Sequence, residues 1–447
     1  MKTLRFHPYR IFRERGKAYV YHTGNSGLFE VDQDCENLLE QAGATPEAAY
    51  RAVAARMSRA QFDALLADMR AAGLLLDEVA VNHPAAPAQS AFHSLVLLVV
   101  QACNMRCTYC YGEGGEYHDR GEMDEATAKK AIDYLVKQSD RDTLSVVFFG
   151  GEPLLRLELI KAVVRHAREI EAASSKRFSF QMTTNGTLLD EAVLAYLHAE
   201  SISYMLSFDG CREVQDANRF FADHSGSYDL VLGKTQADRA NERISCRASV
   251  TPCSLDMRDS FRHLSGLHFR RVLFAPAENT LDDAQFEEYG TQFLRLMEAF
   301  EQDVHSGRFT EAKRNASVYA LVQRLHRAGE GDWACGAGRT MCAVDIHGDI
   351  YPCHRFVTDK AYAIGNIDTA CGGQQVFLEQ LRVSSRTPCR DCWAKNLCRG
   401  GCAHSNLCAT GTPAQAAPRM CALQDRVFDA AVRLYLRLPQ AFKQSCL

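Results

Sequence analysis

The chain has 447 residues, of which 47% are hydrophobic and 24% are charged; this balance excludes a disordered protein and predicts about three domains. Its net charge of −4, from 51 basic and 55 acidic residues, predicts no surface for nucleic acid. The longest apolar run, at 95–100, is far shorter than the ~20 residues of a membrane helix, and the N-terminus lacks the apolar core of a secretory signal. We therefore expect a cytoplasmic protein that binds neither nucleic acid nor membrane.

Cysteine is unusually frequent, with 18 residues in a chain expected to occupy a reducing compartment. Such a density predicts metal ligation rather than disulfide bonds. Eleven of the cysteines follow patterned spacings, within 103–110 and within 335–421. The other seven fit no pattern and are more typical of small buried apolar residues: Cys35, Cys211, Cys246, Cys253, Cys371, Cys408 and Cys446.

Residues 1–82 are predicted to form a small α+β unit. Its predicted elements are strands at 19–21 and 28–31 around a turn at 23–27, and helices at 46–57 and 60–72. Gly73 is suited to follow the second helix, because glycine readily adopts a left-handed conformation there. Residues 81–90, with two prolines and three alanines, predict a linker. The element order resembles the winged-helix units that recognise leader peptides, which implies peptide binding; packing on the main domain is the alternative.

From residue 94 onward, apolar strands alternate with helices, which predicts parallel βαβ units and an α/β fold. The predicted strands lie at 95–100, 144–149, 178–182, 202–208, 244–250 and 272–275. The clearest helical segments lie at 126–137, 157–172 and 228–241, and 277–330 is mostly helical. Six strands in this length suit a partial (β/α)6 barrel, although periodicity alone leaves an open doubly wound sheet as an alternative. After Trp333 the apolar pattern breaks into short runs, which predicts a segment with little apolar core that depends on bound metal.

A loop with the spacing C-x3-C-x2-C follows the first strand of this region. It contains Cys103, Cys107 and Cys110. A [4Fe–4S] cluster is normally held by four cysteines, so a loop of three leaves one iron open for chemistry. On the loop alone, a structural zinc site remains an alternative, because zinc also binds C-x2-C pairs.

This loop, with an aromatic residue before its last cysteine, resembles the signature of radical S-adenosylmethionine (SAM) enzymes. In that family SAM chelates the open iron and is cleaved by one electron to a 5′-deoxyadenosyl radical. The resemblance implies SAM as a cofactor and a radical SAM barrel at 91–290. Further landmarks follow in the family's order at or near strand ends. The residues that the resemblance implies as SAM contacts are Gly150, Gly151, Glu152, Asn185, Ser207 and Arg247. Each has a plain alternative as a turn residue or a surface charge.

A second group of cysteines lies within the C-terminal region, 291–447, which also includes a helical bridge. Its spacing, with a central C-x2-C-x5-C-x3-C run and Gly348 before Cys353, resembles the SPASM extension of radical SAM enzymes. The resemblance implies two auxiliary [4Fe–4S] clusters and thus three clusters in all. The implied ligands are Cys335, Cys342, Cys353 and Cys402 for the first auxiliary cluster, and Cys389, Cys392, Cys398 and Cys421 for the second. A pair of zinc sites is the alternative, and within the cluster assignment Cys371 and Cys408 are nearby thiols that could substitute for a ligand.

Within that family the chain most resembles the thioether-forming peptide maturases, a group that includes the maturation protein of quinohemoprotein amine dehydrogenase. The shared features are the small N-terminal unit and the segments at 351–356 and 398–402. The resemblance implies a peptide or small protein substrate with a leader segment, and an external one-electron donor of the flavodoxin or ferredoxin type. Asp209 is our candidate for the catalytic base, with a role in capping its turn as the alternative.

Two other functions remain open on the sequence. Anaerobic sulfatase-maturating enzymes carry an aspartate directly after the cysteine equivalent to Cys353, whereas this chain has His354 there, which makes serine or cysteine oxidation less favoured. An electron-transfer protein would use the clusters without SAM, and the SAM landmarks argue against it.

Overall fold

The computed structural model describes residues 3–76, 91–369 and 371–446. The predicted linker at 81–90 and the unit boundary at residue 82 lie outside these ranges. All 18 cysteines lie inside them, and none forms a disulfide. Among the described residues no helix is both long enough and apolar enough to cross a membrane.

The N-terminal unit is a three-stranded antiparallel sheet followed by three helices. Its elements are β1 (Tyr9–Glu14), β2 (Lys17–His22), β3 (Leu28–Val31), α1 (Gln33–Leu39), α2 (Pro46–Val53) and α3 (Arg59–Ala71). The predicted hairpin is β2–β3, whereas β1 and α1 are additional to the predicted elements. Asp32, Thr45 and Ser58 begin the three helices by accepting backbone N–H groups with their side chains. Gly73 follows α3 with a φ of 72°, as predicted.

The N-terminal sheet packs on both of its faces. On one face Val20 joins Phe62 and other residues of the helices in the unit's own core. On the opposite face Phe12 and Tyr21 are fully buried in the main core of the protein. Both rings contact the Trp393 ring edge-on, with centroids 5.8 and 5.7 Å away. The unit is therefore docked on the C-terminal region through an aromatic contact.

The second unit contains all six predicted strands. In chain order its elements are β4 (Ser94–Gln101), β5 (Met105–Cys107), β6 (Gly121–Glu122), α4 (Glu125–Gln138), β7 (Thr143–Gly150), α5 (Leu157–Ala173), β8 (Arg177–Thr184), α6 (Glu191–Ala199), β9 (Ser203–Ser207), α7 (Arg212–Asn218), β10 (Arg219–Phe221), α8 (Tyr228–Lys234), α9 (Gln236–Ala240), β11 (Ser245–Val250), α10 (Met257–Gly266) and β12 (Val272–Pro276). The helix predicted at 228–241 is divided into α8 and α9.

The order of the parallel strands decides between the two architectures left open by the sequence. They lie side by side as β4-β7-β8-β9-β11-β12, which is also their order along the chain. A doubly wound sheet reverses this order at a switch point, whereas a (β/α) barrel keeps it. The fold is therefore the partial (β/α)6 barrel.

The two faces of the barrel sheet have different surroundings. Phe148 and Phe180 stack on the outer face, where Arg168 of α5 lies 5.1 Å from the Phe180 ring centroid. Phe149 points to the opposite, inner face and contacts the His354 ring at 4.4 Å. Because side chains alternate along a strand, Ser207 and Arg247 share this inner face with Phe149. We call the space in front of this face the lumen.

The C-terminal region begins with the predicted helical bridge. Its elements are α11 (Asp283–His305), α12 (Phe309–Arg314), α13 (Ala316–Arg327), β13 (Met341–Val344), β14 (Asp349–Tyr351), β15 (Gly365–Asn366), α14 (Gln374–Leu381), α15 (Lys395–Cys398), α16 (Ala403–Thr410), α17 (Pro418–Arg437) and α18 (Gln440–Gln444). One-turn 3-10 helices lie at Pro153–Arg156, His354–Phe356, Lys360–Tyr362, Val383–Ser385 and Cys389–Asp391.

The prediction that the segment after Trp333 has little apolar core is wrong. The 20-residue helix α17 buries a stripe that includes Leu423, Val427 and Phe428, and it packs on α11 and α13. β13 also extends the barrel sheet, since it pairs in parallel with β4, with Ala343 opposite Val96. The C-terminal region therefore shares both the core and the sheet of the barrel.

Candidate active site

The cysteine loop, residues 103–110, is fixed by a short strand pair at the end of β4. Its segment β5 pairs antiparallel with β10, which places Arg219 opposite Cys107. The Thr108 N–H donates to the Asn218 carbonyl oxygen at 3.0 Å. The loop is thus held by a segment more than 100 residues away in sequence, in addition to its own turn from Cys107 to Cys110.

The predicted glycines bring the end of β7 against this loop. The N–H groups of Gly151 and Glu152 donate to the carbonyl oxygens of Val100 and Ala102, each at 3.0 Å. A Cβ atom at Gly151 would lie 2.0 Å from the Ala102 oxygen, and Gly150 has a φ of 132°. The absence of a side chain at these glycines lets the end of β7 approach the backbone that enters the cysteine loop. Contact of these residues with SAM stays a prediction.

Glu152 and Asn185 connect β7 and β8 to the same loop. Glu152 is buried, and its carboxylate accepts from the Asn185 N–H at 2.8 Å and from the Thr184 hydroxyl at 2.7 Å. The Asn185 amide nitrogen donates to the Asn104 side chain at 2.9 Å and lies 3.8 Å from the Cys103 sulfur. These contacts position the loop from the neighbouring strand ends, whatever ligand the same residues bind.

The three thiols fit an iron–sulfur site by their environment. Burial raises the pKa of Cys103 to about 12 and also raises the pKa of Cys107, so these thiols need a cation to ionise. Charge interactions connect Cys103 with Cys107 and Cys107 with Cys110, which places the three as neighbours. Among the described residues no three cysteine, histidine or acidic side chains converge tightly enough for a single metal ion. Thiolates of a cubane each bind a different iron and need no such convergence.

Asp209, the candidate base, is fully enclosed at the end of β9. Its two oxygens accept from the Tyr109 hydroxyl at 2.7 Å and from the Ser249 N–H at 2.9 Å. Burial raises the pKa of Asp209, while the charge of Arg219 acts in the opposite direction. Tyr109 in turn accepts from Arg219 at 2.7 Å. These contacts favour a positioning role for Asp209, and its role as a base stays a prediction.

Ser207 and Arg247 lie opposite each other on β9 and β11, on the lumen face. Arg247 is exposed there, and its charge acts on the nearby His354. Burial, followed by the charge of Arg247, lowers the pKa of His354 to about 3, so the imidazole is neutral at physiological pH. The two predicted SAM contacts thus face the segment that carries Cys353.

The structure brings together three of the four predicted ligands of the first auxiliary cluster. Cys335, Cys353 and Cys402 are electrostatic neighbours, and Arg355 donates to the Cys402 sulfur at 3.4 Å. Cys342 is not with them. It lies on β13 opposite Leu95, fully buried on the outer face of the sheet.

Strand geometry explains the separate position of Cys342. Its neighbour Ala343 pairs with Val96, which points to the lumen, so the Cys342 side chain points the other way, toward Cys371 and Tyr134 of α4. Cys408 lies nearer to the first auxiliary site. Its thiol is exposed, 3.5 Å from the His404 Nδ1 atom, and interacts electrostatically with Cys402.

The four predicted ligands of the second auxiliary cluster share one cavity. This cavity has a volume of about 310 Å³ and is lined by Cys389, Cys392, Cys398 and Cys421. The chain reaches it through Arg399, Gly400 and Gly401, all with positive φ, which turn the backbone directly after Cys398. The donor set and the enclosed space therefore fit a four-thiolate cluster.

Several residues of this site carry no sequence signal. In the sequence, Tyr109 is marked only as the aromatic residue before Cys110, and no pattern predicts a role for Arg219 or Asn104. β5 and β10 have three residues each, too few for a periodicity. Only the pairing of β10 with β5 brings Arg219 to the cysteine loop.

The comparison with protein families identifies the second unit. Residues 97–231 match the family model of the radical SAM superfamily. They form a radical SAM domain. This domain begins inside β4, contains the cysteine loop and the strand ends that hold it, and ends in α8. This domain implies SAM and a [4Fe–4S] cluster as cofactors.

Its sequence relatives include two types of maturase. Mycofactocin maturase MftC of Mycobacterium ulcerans is 27% identical over 325 residues, which cover 70% of this chain and 83% of the relative. The cysteine-type anaerobic sulfatase-maturating enzyme of Clostridium novyi is 22% identical over 347 residues, 69% of this chain and 88% of the relative.

Solved structures of radical SAM enzymes share the fold. Native anSMEcpe with bound AdoMet and the Cp18Cys peptide has a TM-score of 0.63 at 19% identity, covering 77% of this chain and 98% of that one. Streptococcus suis SuiB bound to its precursor peptide SuiA has a TM-score of 0.50 at 14% identity, covering 94% and 99%. The second match extends over nearly the whole of both chains.

Proposed function

We propose that this radical SAM enzyme is a maturase that forms thioether crosslinks, from a cysteine sulfur to a carbon, within a ribosomal peptide or protein subunit. The observation that carries the proposal is the set of three thiols, Cys335, Cys353 and Cys402, beside the lumen. A set of three leaves one ligand position, for which the neighbouring Cys408 thiol and a thiolate from outside the chain would compete. A substrate cysteine has that chemistry, and thioether formation consumes one.

The cofactors of the proposed enzyme are SAM and three [4Fe–4S] clusters. The cysteine loop would hold the catalytic cluster, the three thiols named above the first auxiliary cluster, and the cavity of Cys389, Cys392, Cys398 and Cys421 the second. When bound, SAM and the clusters supply the radical that abstracts hydrogen and an acceptor for the surplus electron. The proposed balance is two hydrogens lost per crosslink, one as an atom from carbon and one as the thiol proton.

The chain's own residues support this chemistry by shaping the lumen. Tyr111, Phe149 and His354 form a wall of ring contacts between the cysteine loop and the first auxiliary site. The Nδ1 atom of His354 is buried without a hydrogen-bond partner, as is the Tyr111 hydroxyl. Such a wall excludes water from a carbon radical while offering a polar contact to the peptide backbone.

The N-terminal unit is the proposed site of peptide recognition. Its strand β3 is the outer strand of the sheet, and no described segment pairs with its free edge. The other edge strand, β1, packs on α17, where Arg10 donates to Asp429 at 2.6 Å. An extended leader segment can pair with an open strand edge through main-chain hydrogen bonds. The remaining partner in the proposal is a one-electron donor of the flavodoxin or ferredoxin type.

The test uses the anaerobically reconstituted full-length enzyme with SAM, a reductant and candidate peptides encoded next to its gene. We expect 5′-deoxyadenosine and a product that has lost two hydrogens per crosslink and whose cysteine no longer reacts with alkylating reagent. Cys335→Ala should reduce crosslinking, whereas Cys253→Ala, at an exposed thiol outside all three sites, should not. A product that has lost its sulfur would instead establish formylglycine formation and refute the thioether assignment.

A further inference from the structure

Arg219 is a buried cation at the catalytic end of the barrel. Its side chain is placed by the pairing of β10 with β5, where Arg219 lies opposite Cys107. The residue is only 7% exposed. Charges that act on it include those of Cys107, Tyr109 and Asp209. A guanidinium so far from solvent is costly unless nearby groups compensate its charge.

The hydrogen bonds of Arg219 compensate only part of this cost. One terminal nitrogen donates to the Tyr109 hydroxyl, which itself donates to Asp209. Tyr109 therefore stands between the cation and the carboxylate, and no direct ion pair joins Arg219 to Asp209 among the contacts of the described residues. The Nε atom of Arg219 is buried without any partner. The positive charge therefore acts on the Asp209 carboxylate and also on the neighbouring cysteine thiols, of which Cys107 lies directly opposite Arg219.

We propose that Arg219 is a positioning residue of the cysteine loop whose fixed charge raises the reduction potential of the cluster that the loop holds. Reduction adds negative charge at the site, and a cation in a poorly screened interior stabilises the more negative state. Tyr109 and Asp209 keep the guanidinium in place and prevent it from turning toward solvent. The inference rests on the radical SAM domain and not on the proposed thioether chemistry.

The test compares Arg219→Gln and Arg219→Lys with the native enzyme, all reconstituted as full-length holoenzyme. Arg212→Gln is the matched control, because it removes an equal charge from the exposed side of α7, where Arg212 pairs with Asp229. The measurements are iron and sulfide content and a redox titration followed by electron paramagnetic resonance. The signal of interest is the one that changes when SAM is added and that is missing from an enzyme in which Cys103, Cys107 and Cys110 are replaced by Ala.

We expect Arg219→Gln to retain its iron and to be reduced only at a lower potential than the native enzyme. Arg219→Lys should lie between the two, and Arg212→Gln should match the native enzyme. An unchanged potential in an iron-replete Arg219→Gln enzyme would overturn the inference. Loss of the cluster from both Arg219 variants would also overturn it, because the residue would then act through loop structure alone. Absence of thioether product in the native enzyme would leave these potentials unaffected and would bear only on the proposed function.

Discussion

Gly151→Ala tests whether the backbone approach between β7 and the cysteine loop is required for cluster binding. The added Cβ would lie 2.0 Å from the Ala102 oxygen and 2.9 Å from the Cys103 nitrogen, whereas ordinary contact begins at 3.4 Å. To restore ordinary contact between the added Cβ and the Ala102 oxygen, one of the two backbone segments must move by about 1.4 Å. Both obstacles are backbone atoms, so no side-chain rotation can provide that shift.

We expect Gly151→Ala to lose about 3 kcal/mol of folding stability, the upper end for overpacking, because the hydrogen bond from Gly151 to Val100 would also be strained. The displaced loop should bind less iron and produce less 5′-deoxyadenosine. The assays are chemical denaturation, iron content and SAM cleavage. Gly233→Ala is the control: this glycine lies in α8, its Cβ would meet no atom within 4 Å, and alanine there should stabilise by about 0.5–1 kcal/mol. Native iron content and native stability in Gly151→Ala would refute the reasoning.

The remaining predictions concern the cysteines and the docked N-terminal unit. Joint replacement of Cys103, Cys107 and Cys110 by Ala should abolish 5′-deoxyadenosine formation and leave two thirds of the iron; survival of SAM cleavage would contradict the site. Cys342→Ala should leave the cluster spectra unchanged and cost about 1 kcal/mol of stability from the cavity it creates, measured by denaturation; lost cluster absorption would make Cys342 a ligand after all. Trp393→Ala should destabilise by about 2 kcal/mol, less than for a fully buried Trp, and speed hydrogen exchange in β1 and β2; unchanged exchange would show that the aromatic contact does not hold the unit.

The sequence predicted the barrel well because its strands carry their own signal. The run at 95–100 is apolar throughout, as expected of a strand buried on both faces, and the observed strand is Ser94–Gln101. Elements that rely on distant partners were not predictable in this way. The pair β5–β10 is short, and its pairing follows from tertiary structure, whereas β1 is a six-residue strand that mixes apolar and charged side chains. α17 is a different case, because its apolar residues have the spacing of a helix, although no helix was predicted in this cysteine-rich region.

The residues of the candidate site likewise divide into those that the sequence predicts and those that only the fold brings together. Spacing predicted the cysteine loop and the second auxiliary set, and the four members of that set line one cavity in the structure. It could not assign Cys342, because spacing does not tell on which face of β13 a side chain lies. Nor could it identify the buried charge of Arg219, which depends on a contact across more than 100 residues. Local motifs predict candidate ligands, whereas the residues that surround those ligands follow only from the fold.

The pairing of β13 with β4 has a consequence for how the chain can be divided. An open barrel leaves two strands with unpaired edges, and exposed edges promote association between molecules. Here β13 covers the edge of β4, while beyond β12 the Ser317 hydroxyl of α13 accepts the Phe274 N–H at 2.8 Å and Asn315 forms a bridge with Val272. The strand β13 and the two residues that contact β12 all belong to the C-terminal region. A fragment that ends after the sixth strand would keep only β6 on the end of β4 and would expose most of both edges, so we expect such a fragment to aggregate.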